Sequence, residues 1–198
     1  MEGLKVDCQK VGKLIWELRK EKGLTQKQLA QAVNISDKAI SKWERGLGMP
    51  DVSLLHQVAE VLGVNVENLL SGNLTQNNPD GGNMKKLKFF VCPTCGNIAT
   101  ATGEGEFACC GRKLTALAAK PGDEAHNLNV EIIEDDYYIT FTHEMTKAHY
   151  LNFVAYVSWD RVLLVRLYPE QGGEVRFPRL HGGKLYFSCN QHGLWVNQ

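Results

Sequence analysis

Two side chains with metal-binding chemistry stand close to the end of the sequence, Cys189 and His192 in the segment SCNQHGLW. A thiolate and an imidazole separated by two residues are a common pair of transition-metal ligands, although a buried thiol beside a surface imidazole gives the same pattern. Three other histidines lie in the same half of the chain, His126 in DEAHNLNV and His143 and His149 in THEMTKAHYLNFV. These histidines therefore decide whether Cys189 and His192 belong to a metal site.

A second cluster consists of four cysteines, Cys92, Cys95, Cys109 and Cys110, in VCPTCGNIATATGEGEFACCGRKL. A CxxC pair followed by two adjacent cysteines gives two ligand pairs, which a hairpin can bring together into a tetrahedral sulfur site. Iron and zinc both accept four thiolates, and a disulfide pair is a further alternative. The pattern resembles the iron tetrathiolate of desulforedoxin and of the N-terminal domain of desulfoferrodoxin, which favours iron.

The histidines and the C-terminal motif together resemble the catalytic domain of superoxide reductase, the desulfoferrodoxin and neelaredoxin family, from about Phe89 to Gln198. That family has a Glu-Lys-His element, a His-Pro-Met-x-x-x-His-Tyr element and a C-terminal Cys-Asn-x-His-Gly-Leu-Trp. The resemblance implies a non-haem iron with an open sixth position, four equatorial imidazoles and an axial thiolate. The ligands would be His126, His143, His149, His192 and Cys189. Cys189, His192 and the acid Glu124 are then the candidate catalytic residues for one-electron reduction of superoxide.

Two positions depart from the family's elements. Ala125 replaces the lysine before the first histidine, and Glu144 replaces the proline of His-Pro-Met. Both changes lower the local positive potential, so we expect them to slow the encounter with an anion such as superoxide.

The predicted secondary structure that positions these residues changes from helix to strand along the chain. Residues 11 to 72 carry apolar side chains at intervals of three and four residues, which predicts five short helices. Residues 73 to 88 are polar and rich in glycine and asparagine, which is typical of a flexible linker. From residue 89 on, short apolar runs broken by turn signals predict strand after strand.

The predicted fold class is therefore multidomain, α then β. A five-helix, lambda-repressor-like domain occupies residues 1–72, and the linker occupies residues 73–88. A small desulforedoxin-like knuckle with four cysteine ligands follows over residues 89–115, and an immunoglobulin-like antiparallel β-sandwich over residues 116–198.

The segment LTQKQLAQAVNISDKAISKWERG reads as a helix, a tight turn and a second helix, with Thr25 and Ser36 as caps. It resembles the helix-turn-helix of the lambda-repressor and Cro class, the XRE family. In the second helix Ile40 and Trp43 point inward, so the opposite face can enter the major groove of double-stranded DNA. The candidate DNA contacts are Ser36, Asp37, Lys38, Ser41 and Lys42, and the resemblance adds Gln26 as a phosphate contact.

The charge distribution agrees with DNA binding by this domain. The whole chain is balanced, with 22 basic and 22 acidic residues, so a nucleic-acid surface has to come from local segregation. Residues 5 to 45 hold ten lysines or arginines against five acids, whereas residues 46 to 75 hold three acids and no base. A small helical interaction domain with a solvated lysine stripe is the alternative.

No stretch of the sequence approaches the roughly 20 apolar residues that span a bilayer, and its first ten residues lack the apolar core of a signal peptide. We therefore expect a cytoplasmic protein without a membrane partner. In a reducing compartment, clustered cysteines are expected to bind metal rather than to form disulfides.

Two functions of different class follow. In the first, the chain is a transcriptional regulator whose iron domain senses superoxide, another small oxidant or the redox state. In the second, it is a working superoxide reductase tethered to a DNA-binding module, and it then needs a reductant such as an electron-donor protein. Iron is expected at two mononuclear sites, with zinc possible in the site made by the four clustered cysteines. We also expect a homodimer, because such DNA readers use paired operator half-sites.

Overall fold

The computed structural model describes residues 6–74, 76 and 83–197 of the chain. The chain divides into two compact units, Met1–Gln76 and Asn77–Gln198. Residues 75 and 77–82 of the predicted linker lie outside the described residues. None of the helices in the described ranges is long and apolar enough to cross a membrane.

The first unit is the predicted bundle of five helices. They are α1 (Cys8–Glu21), α2 (Gln26–Ala32), α3 (Asp37–Glu44), α4 (Val52–Leu62) and α5 (Val66–Ser71). Each helix begins after a polar side chain that accepts a hydrogen bond from a free backbone N–H group. These capping residues are Asp7, Thr25, Ser36, Asp51 and Asn65. Thr25, a predicted cap, forms a capping box with Gln28, and Asn34 takes the left-handed conformation in the turn before α3, with φ 56°.

A close contact between α1 and α3 holds the helix-turn-helix in place. A Cβ atom at Gly12 would lie 2.1 Å from the carbonyl oxygen of Trp43, so only glycine allows the two helices to approach this closely. Beside this contact the buried Arg19 donates to both carboxylate oxygens of Glu44, at 2.5 and 2.8 Å. The orientation of α3 relative to α1 is therefore fixed by backbone contact and by a bidentate ion pair.

The second unit is built from strands that follow a 3-10 helix at Met84–Lys86. Two hairpins come first, β1 (Lys88–Val91) with β2 (Ile98–Ala101), and β3 (Phe107–Cys109) with β4 (Arg112–Leu114). The others are β5 (Ala119–Pro121), β6 (Asn129–Ile133), β7 (Asp136–Thr140), β8 (Leu151–Val157), β9 (Val162–Arg166), β10 (Glu174–Pro178), β11 (Lys184–Cys189) and β12 (Gly193–Val196).

Strands β5 to β12 form two sheets that pack face to face, which confirms the predicted sandwich. One sheet has the order β10-β7-β6 and the other β5-β12-β11-β8-β9. Both are antiparallel except that β5 runs parallel to β12. The buried core between them combines Ile139 and Phe177 of the first sheet with Val154 and Phe187 of the second. The candidate ligands lie at the end of β11 and in the loops between strands.

Strand β8 is buried on both faces, because the two-hairpin region covers the side that faces away from the sandwich core. Phe89 of β1 stacks on Phe153 of β8 with ring centroids 5.1 Å apart. Ala155 and Val157 belong to the same apolar cluster. The β1–β2 hairpin therefore shares a core with the five-stranded sheet, whereas Leu114 of β4 packs with Phe90 and Cys92 in a separate cluster.

Candidate metal centres and nucleic-acid interface

The β11–β12 hairpin brings Cys189 and His192 together. Cys189 ends β11 and pairs with Gly193, the first residue of β12, so three residues form the loop between them. Gly193 has φ 87°, a left-handed conformation that glycine adopts without strain in such a loop. An irregularity in the pairing between Ser188 and Cys189 adjusts the end of the strand, and the Cys189 side chain is buried.

Two other loops supply the histidines. His126 lies between β5 and β6, and His143 and His149 lie between β7 and β8. The side-chain amides of Asn190 and Gln191 both donate to the carbonyl oxygen of Ala148, at 2.9 Å each. The hairpin loop is thereby tied to the loop that carries His143 and His149.

The four imidazoles form a closed ring around Cys189. The centroids of neighbouring rings lie 5.1 Å apart for His126 and His143, 4.5 Å for His143 and His149, 5.0 Å for His149 and His192, and 4.9 Å for His192 and His126. One nitrogen from each ring and the sulfur of Cys189 all lie within 4.8 Å of one another. The sulfur is 3.4 Å from Nδ1 of His192. This arrangement can present four nitrogens and one sulfur to a single ion.

The inward nitrogens are arranged as a metal ion requires, and two of them lack any other partner within the described residues. Nε2 of His143 and Nε2 of His149 are buried without a hydrogen bond within the described residues, an arrangement that costs free energy unless a ligand satisfies it. Nε2 of His126 lies 3.0 Å from Nδ1 of His192. Two nitrogens bound at right angles with bonds of about 2.1 Å would lie about 3.0 Å apart. The residues present therefore fit a bound transition metal.

The outward nitrogens of three rings are held by oxygen atoms. Nδ1 of His126 lies 3.1 Å from a carboxylate oxygen of Asp123, and Nδ1 of His149 lies 2.9 Å from a carboxylate oxygen of Glu144. Nδ1 of His143 lies 2.6 Å from the carbonyl oxygen of Glu144. Each Nδ1 therefore donates outward, which leaves the three Nε2 lone pairs directed inward.

These contacts shift the pKa values of the groups involved. The hydrogen bond from His149 lowers the pKa of Glu144 below its usual range. Burial acts to raise the pKa of Asp123, but the backbone and ring N–H groups of His126 outweigh it and lower that pKa. Burial lowers the pKa of His143, which favours the neutral imidazole that a metal requires.

Three neighbours of this site were not predicted from the sequence. The predicted acid, Glu124, is exposed on the loop and lines an open cavity of about 530 Å³, whereas Asp123 is the acid that contacts His126. The ring of Trp195 stacks on His126 with centroids 4.3 Å apart. Lys120 lies over Trp195 and donates to the carbonyl oxygen of His192 at 3.2 Å. Only Trp195 had a signal in the sequence, as the last residue of the C-terminal motif.

The four cysteines of the knuckle meet where the turns of its two hairpins come together. Cys95 and Cys109 have sulfur atoms 3.5 Å apart, those of Cys109 and Cys110 are 4.0 Å apart, and all four lie within 4.8 Å of one another. A tetrahedral site with bonds of about 2.3 Å would separate its sulfurs by about 3.8 Å. Disulfide-bonded sulfurs lie about 2.05 Å apart, and all four cysteines are free thiols in this structure. The spacing therefore fits a metal ion.

The electrostatics of the knuckle also favour a bound cation. The backbone N–H of Cys95 lowers the pKa of Cys92 to about 6. The sulfur atoms of Cys95 and Cys92 raise the pKa of Cys110 to about 12. A thiolate at Cys110 is thus disfavoured beside the neighbouring cysteine sulfurs, whereas a bound metal would keep it deprotonated.

The exposed face of α3 carries most of the candidate DNA contacts. Asp37, Lys38 and Lys42 are exposed and Ser41 is half-buried, while Ile40 and Trp43 are in the core as predicted. Two other candidates also have roles within the domain. Ser36 caps α3 by accepting from the backbone N–H of Ala39 at 3.3 Å, and Gln26 donates its side-chain amide to Glu44 at 2.8 Å. Gln26 and Ser41 line an open cavity of about 460 Å³ together with Lys13 and Arg45.

Comparison with known proteins divides the chain in the same way. The Helix-turn-helix family model matches residues 17–69. A desulfoferrodoxin from Syntrophotalea carbinolica is 30% identical over 123 residues, which cover 58% of this chain and 98% of that protein. The HTH-type transcriptional activator BcrR from Enterococcus faecalis is 36% identical over 78 residues, which are 38% of each chain. The superoxide reductase from Treponema pallidum superposes with a TM-score of 0.48 and 22% identity, over 57% of this chain and 98% of that structure.

Proposed function

Because the chain belongs to the desulfoferrodoxin family and carries a helix-turn-helix domain ahead of the shared part, we propose that it is a DNA-binding transcriptional regulator with a redox sensor. Its C-terminal non-haem iron domain would sense superoxide, another small oxidant or the redox state. The observation that carries this proposal is the closed ring of four imidazoles around the Cys189 sulfur, on one chain with a DNA-reading fold.

Iron is the metal that membership of the desulfoferrodoxin family implies for these donors. His126, His143, His149, His192 and Cys189 would hold one ion, and Cys92, Cys95, Cys109 and Cys110 a second, for which zinc is an alternative. Bound at the histidine site, iron supplies one-electron exchange with superoxide or another small oxidant. Asp123 and Glu144 orient the imidazoles of His126 and His149, and Trp195 covers the His126 ring.

The charges around the histidine site favour sensing over rapid turnover. Ala125 carries no charge beside His126, and Glu144 adds a carboxylate 2.9 Å from the His149 ring. Lys120 is a positive charge close to His192. Because the two carboxylates at the ring outnumber this lysine, a superoxide anion gains little from electrostatic steering. A sensor needs only one oxidation event per signal, so it tolerates slow encounter.

DNA recognition is proposed for the α3 face. Lys38 and Lys42 would donate to base edges or phosphates, and Asp37 would accept from cytosine. The half-buried Ser41 would add a hydroxyl group to the same face. Gln26 would contact a phosphate, held in position by its bond to Glu44. Two copies of the chain would bind half-sites about 34 Å apart, as two-fold symmetric readers of this class do.

Changing Lys38 and Lys42 together to alanine is expected to weaken DNA binding and to reduce the dependence of log K on log salt by about 2, if both lysines meet phosphates. The iron content should stay unchanged, because neither residue belongs to a metal cluster. Fluorescence anisotropy at several salt concentrations measures the affinity for DNA and its dependence on salt. The matched control is Lys20→Ala with Lys22→Ala, which removes the same charge from exposed positions at the end of α1. Equal loss in both double variants would mean that the α3 face is not the reader.

A working superoxide reductase is the second candidate, and the complete set of five ligand residues favours it. The two functions differ in the number of superoxide molecules that each histidine site consumes. For the sensor, we expect each reduced histidine site to consume about one superoxide and then stop or turn over slowly, even with a reductant present. The measurement is superoxide decay after pulse radiolysis with excess ascorbate. Many rapid turnovers per iron would favour the enzyme.

A further inference from the structure

The outward nitrogens of two candidate ligands are bonded to carboxylates rather than only to neutral oxygens. Asp123 accepts from His126 at 3.1 Å and Glu144 accepts from His149 at 2.9 Å. A carboxylate that accepts the outer N–H of a metal-bound imidazole makes the ring a stronger electron donor and fixes its orientation. Stronger donation stabilises the more highly charged state of the metal.

We infer that Asp123 and Glu144 are positioning residues that lower the reduction potential of the iron bound by the histidine ring and so make its oxidation easier. This inference rests on the proposed function, because it requires iron at the site. It adds that the two carboxylates, acting through His126 and His149, determine how readily the site loses its electron.

Asp123 is held in place for this role by its own loop. One carboxylate oxygen accepts from the backbone N–H groups of Ala125, at 3.0 Å, and His126, at 2.7 Å, as well as from the His126 ring. The His126 side chain is 8% exposed and stacks on Trp195, so it has little freedom to turn away. The bond is thus held in place by the loop itself and by the packing of the ring.

Glu144 orients two neighbouring members of the ring at once. Its backbone carbonyl accepts from Nδ1 of His143 and its side chain accepts from Nδ1 of His149. Thr146 holds the backbone of His149 by accepting from its N–H at 3.1 Å. A proline at position 144 would offer the same carbonyl oxygen but no carboxylate. The glutamate therefore adds a negative charge to the ring and retains the backbone contact.

The summed charges point in the same direction. The Cys189 thiolate and the two carboxylates carry three negative charges, which balance a ferric ion and exceed the charge of a ferrous ion by one. Lys120, near His192, offsets part of this excess. Loss of one electron to a one-electron acceptor relieves the excess. For superoxide, that electron and two protons give hydrogen peroxide. Both side chains are about half exposed, at 52% and 55%, so solvent screens each effect in part.

The test is a spectroelectrochemical titration of the full-length protein, following the absorption that depends on Cys189. Glu144→Gln and Asp123→Asn keep the shape of each side chain and remove its charge. Each is expected to raise the midpoint potential by about 59 mV or more, which is a tenfold change in a one-electron equilibrium. The two changes together should have a larger effect than either alone. Glu170→Gln is the matched control, since Glu170 lies beside the same loop but pairs with Lys147 rather than with a histidine.

Each outcome of this titration decides the inference. Equal potentials in iron-loaded wild type and variants would overturn it and leave the proposed function intact. A wild-type histidine site that takes up no iron would overturn the proposed function itself. Partial loss of iron does not disturb the measurement, because the midpoint potential is independent of loading. If both variants lose all iron, the carboxylates govern affinity and the inference about potential is wrong.

Discussion

Replacing Cys189 with serine is expected to abolish the thiolate-to-iron absorption of the histidine site and to lower its iron content at least tenfold. The sulfur is buried, and the backbone N–H of Gln191 donates to it at 3.4 Å. A serine hydroxyl stays protonated at neutral pH and cannot supply the negative charge of a metal-bound thiolate. Visible spectra and iron analysis on protein purified without oxygen measure both effects.

The matched control for this substitution is Cys8→Ser. Cys8 begins α1 and belongs to neither metal cluster, so its loss should leave colour and iron content unchanged. The knuckle is expected to retain its own metal in the Cys189 variant. Its four sulfurs come from the β1–β2 and β3–β4 hairpins, whereas Cys189 belongs to the β11–β12 hairpin. A Cys189→Ser protein with the full wild-type spectrum would contradict the ligand assignment.

The helical unit was predictable in detail because its signals are local. Thr25 and Ser36 lie within three residues of the N–H groups they cap, and Asn34 adopts its left-handed conformation in the turn between two helices. The sequence did not reveal that Gln26 would bond Glu44, since these residues meet only after α2 and α3 have packed.

The strands were predictable as elements, but their environment was not. The short apolar runs predicted strands, but they did not predict that both faces of β8 are buried, because Phe89 stacks on Phe153 from outside the sandwich. The parallel pairing of β5 with β12 joins residues more than 70 positions apart, and no local pattern records such a pairing.

In the candidate site, too, the ligand residues could be predicted from the sequence, but the contacts around them could not. Its five donor residues were assigned from motifs, because ligand types and their spacing are written in the sequence. The contacts behind the ligands depend on loop geometry, which the motifs do not specify. Asp123 rather than Glu124 reaches His126, and Glu144 turns its carboxylate onto the ring of His149. Glu144 was expected only to repel an anion, whereas it also orients two histidines.

The affinity for operator DNA is expected to differ at least fivefold between the reduced and oxidised forms of the histidine site, which is the lower end of typical allosteric coupling. Removing one electron changes the charge at the ring of four imidazoles and the strength of the bonds to its ligands. If this change shifts the balance between two arrangements of the protein, DNA binding and iron oxidation become linked. Linkage is reciprocal, so operator DNA must shift the midpoint potential by the same factor.

The most direct measurement is an anisotropy titration of one operator duplex with both redox forms at a single fixed salt concentration. The duplex is chosen by selection from random-sequence DNA with each form in turn. Protein reduced under argon is compared with protein oxidised by one equivalent of superoxide, and Cys189→Ser serves as the control that should not respond. The sensor predicts a difference of fivefold or more that disappears in the control. Equal affinity of both forms for every selected duplex would contradict it.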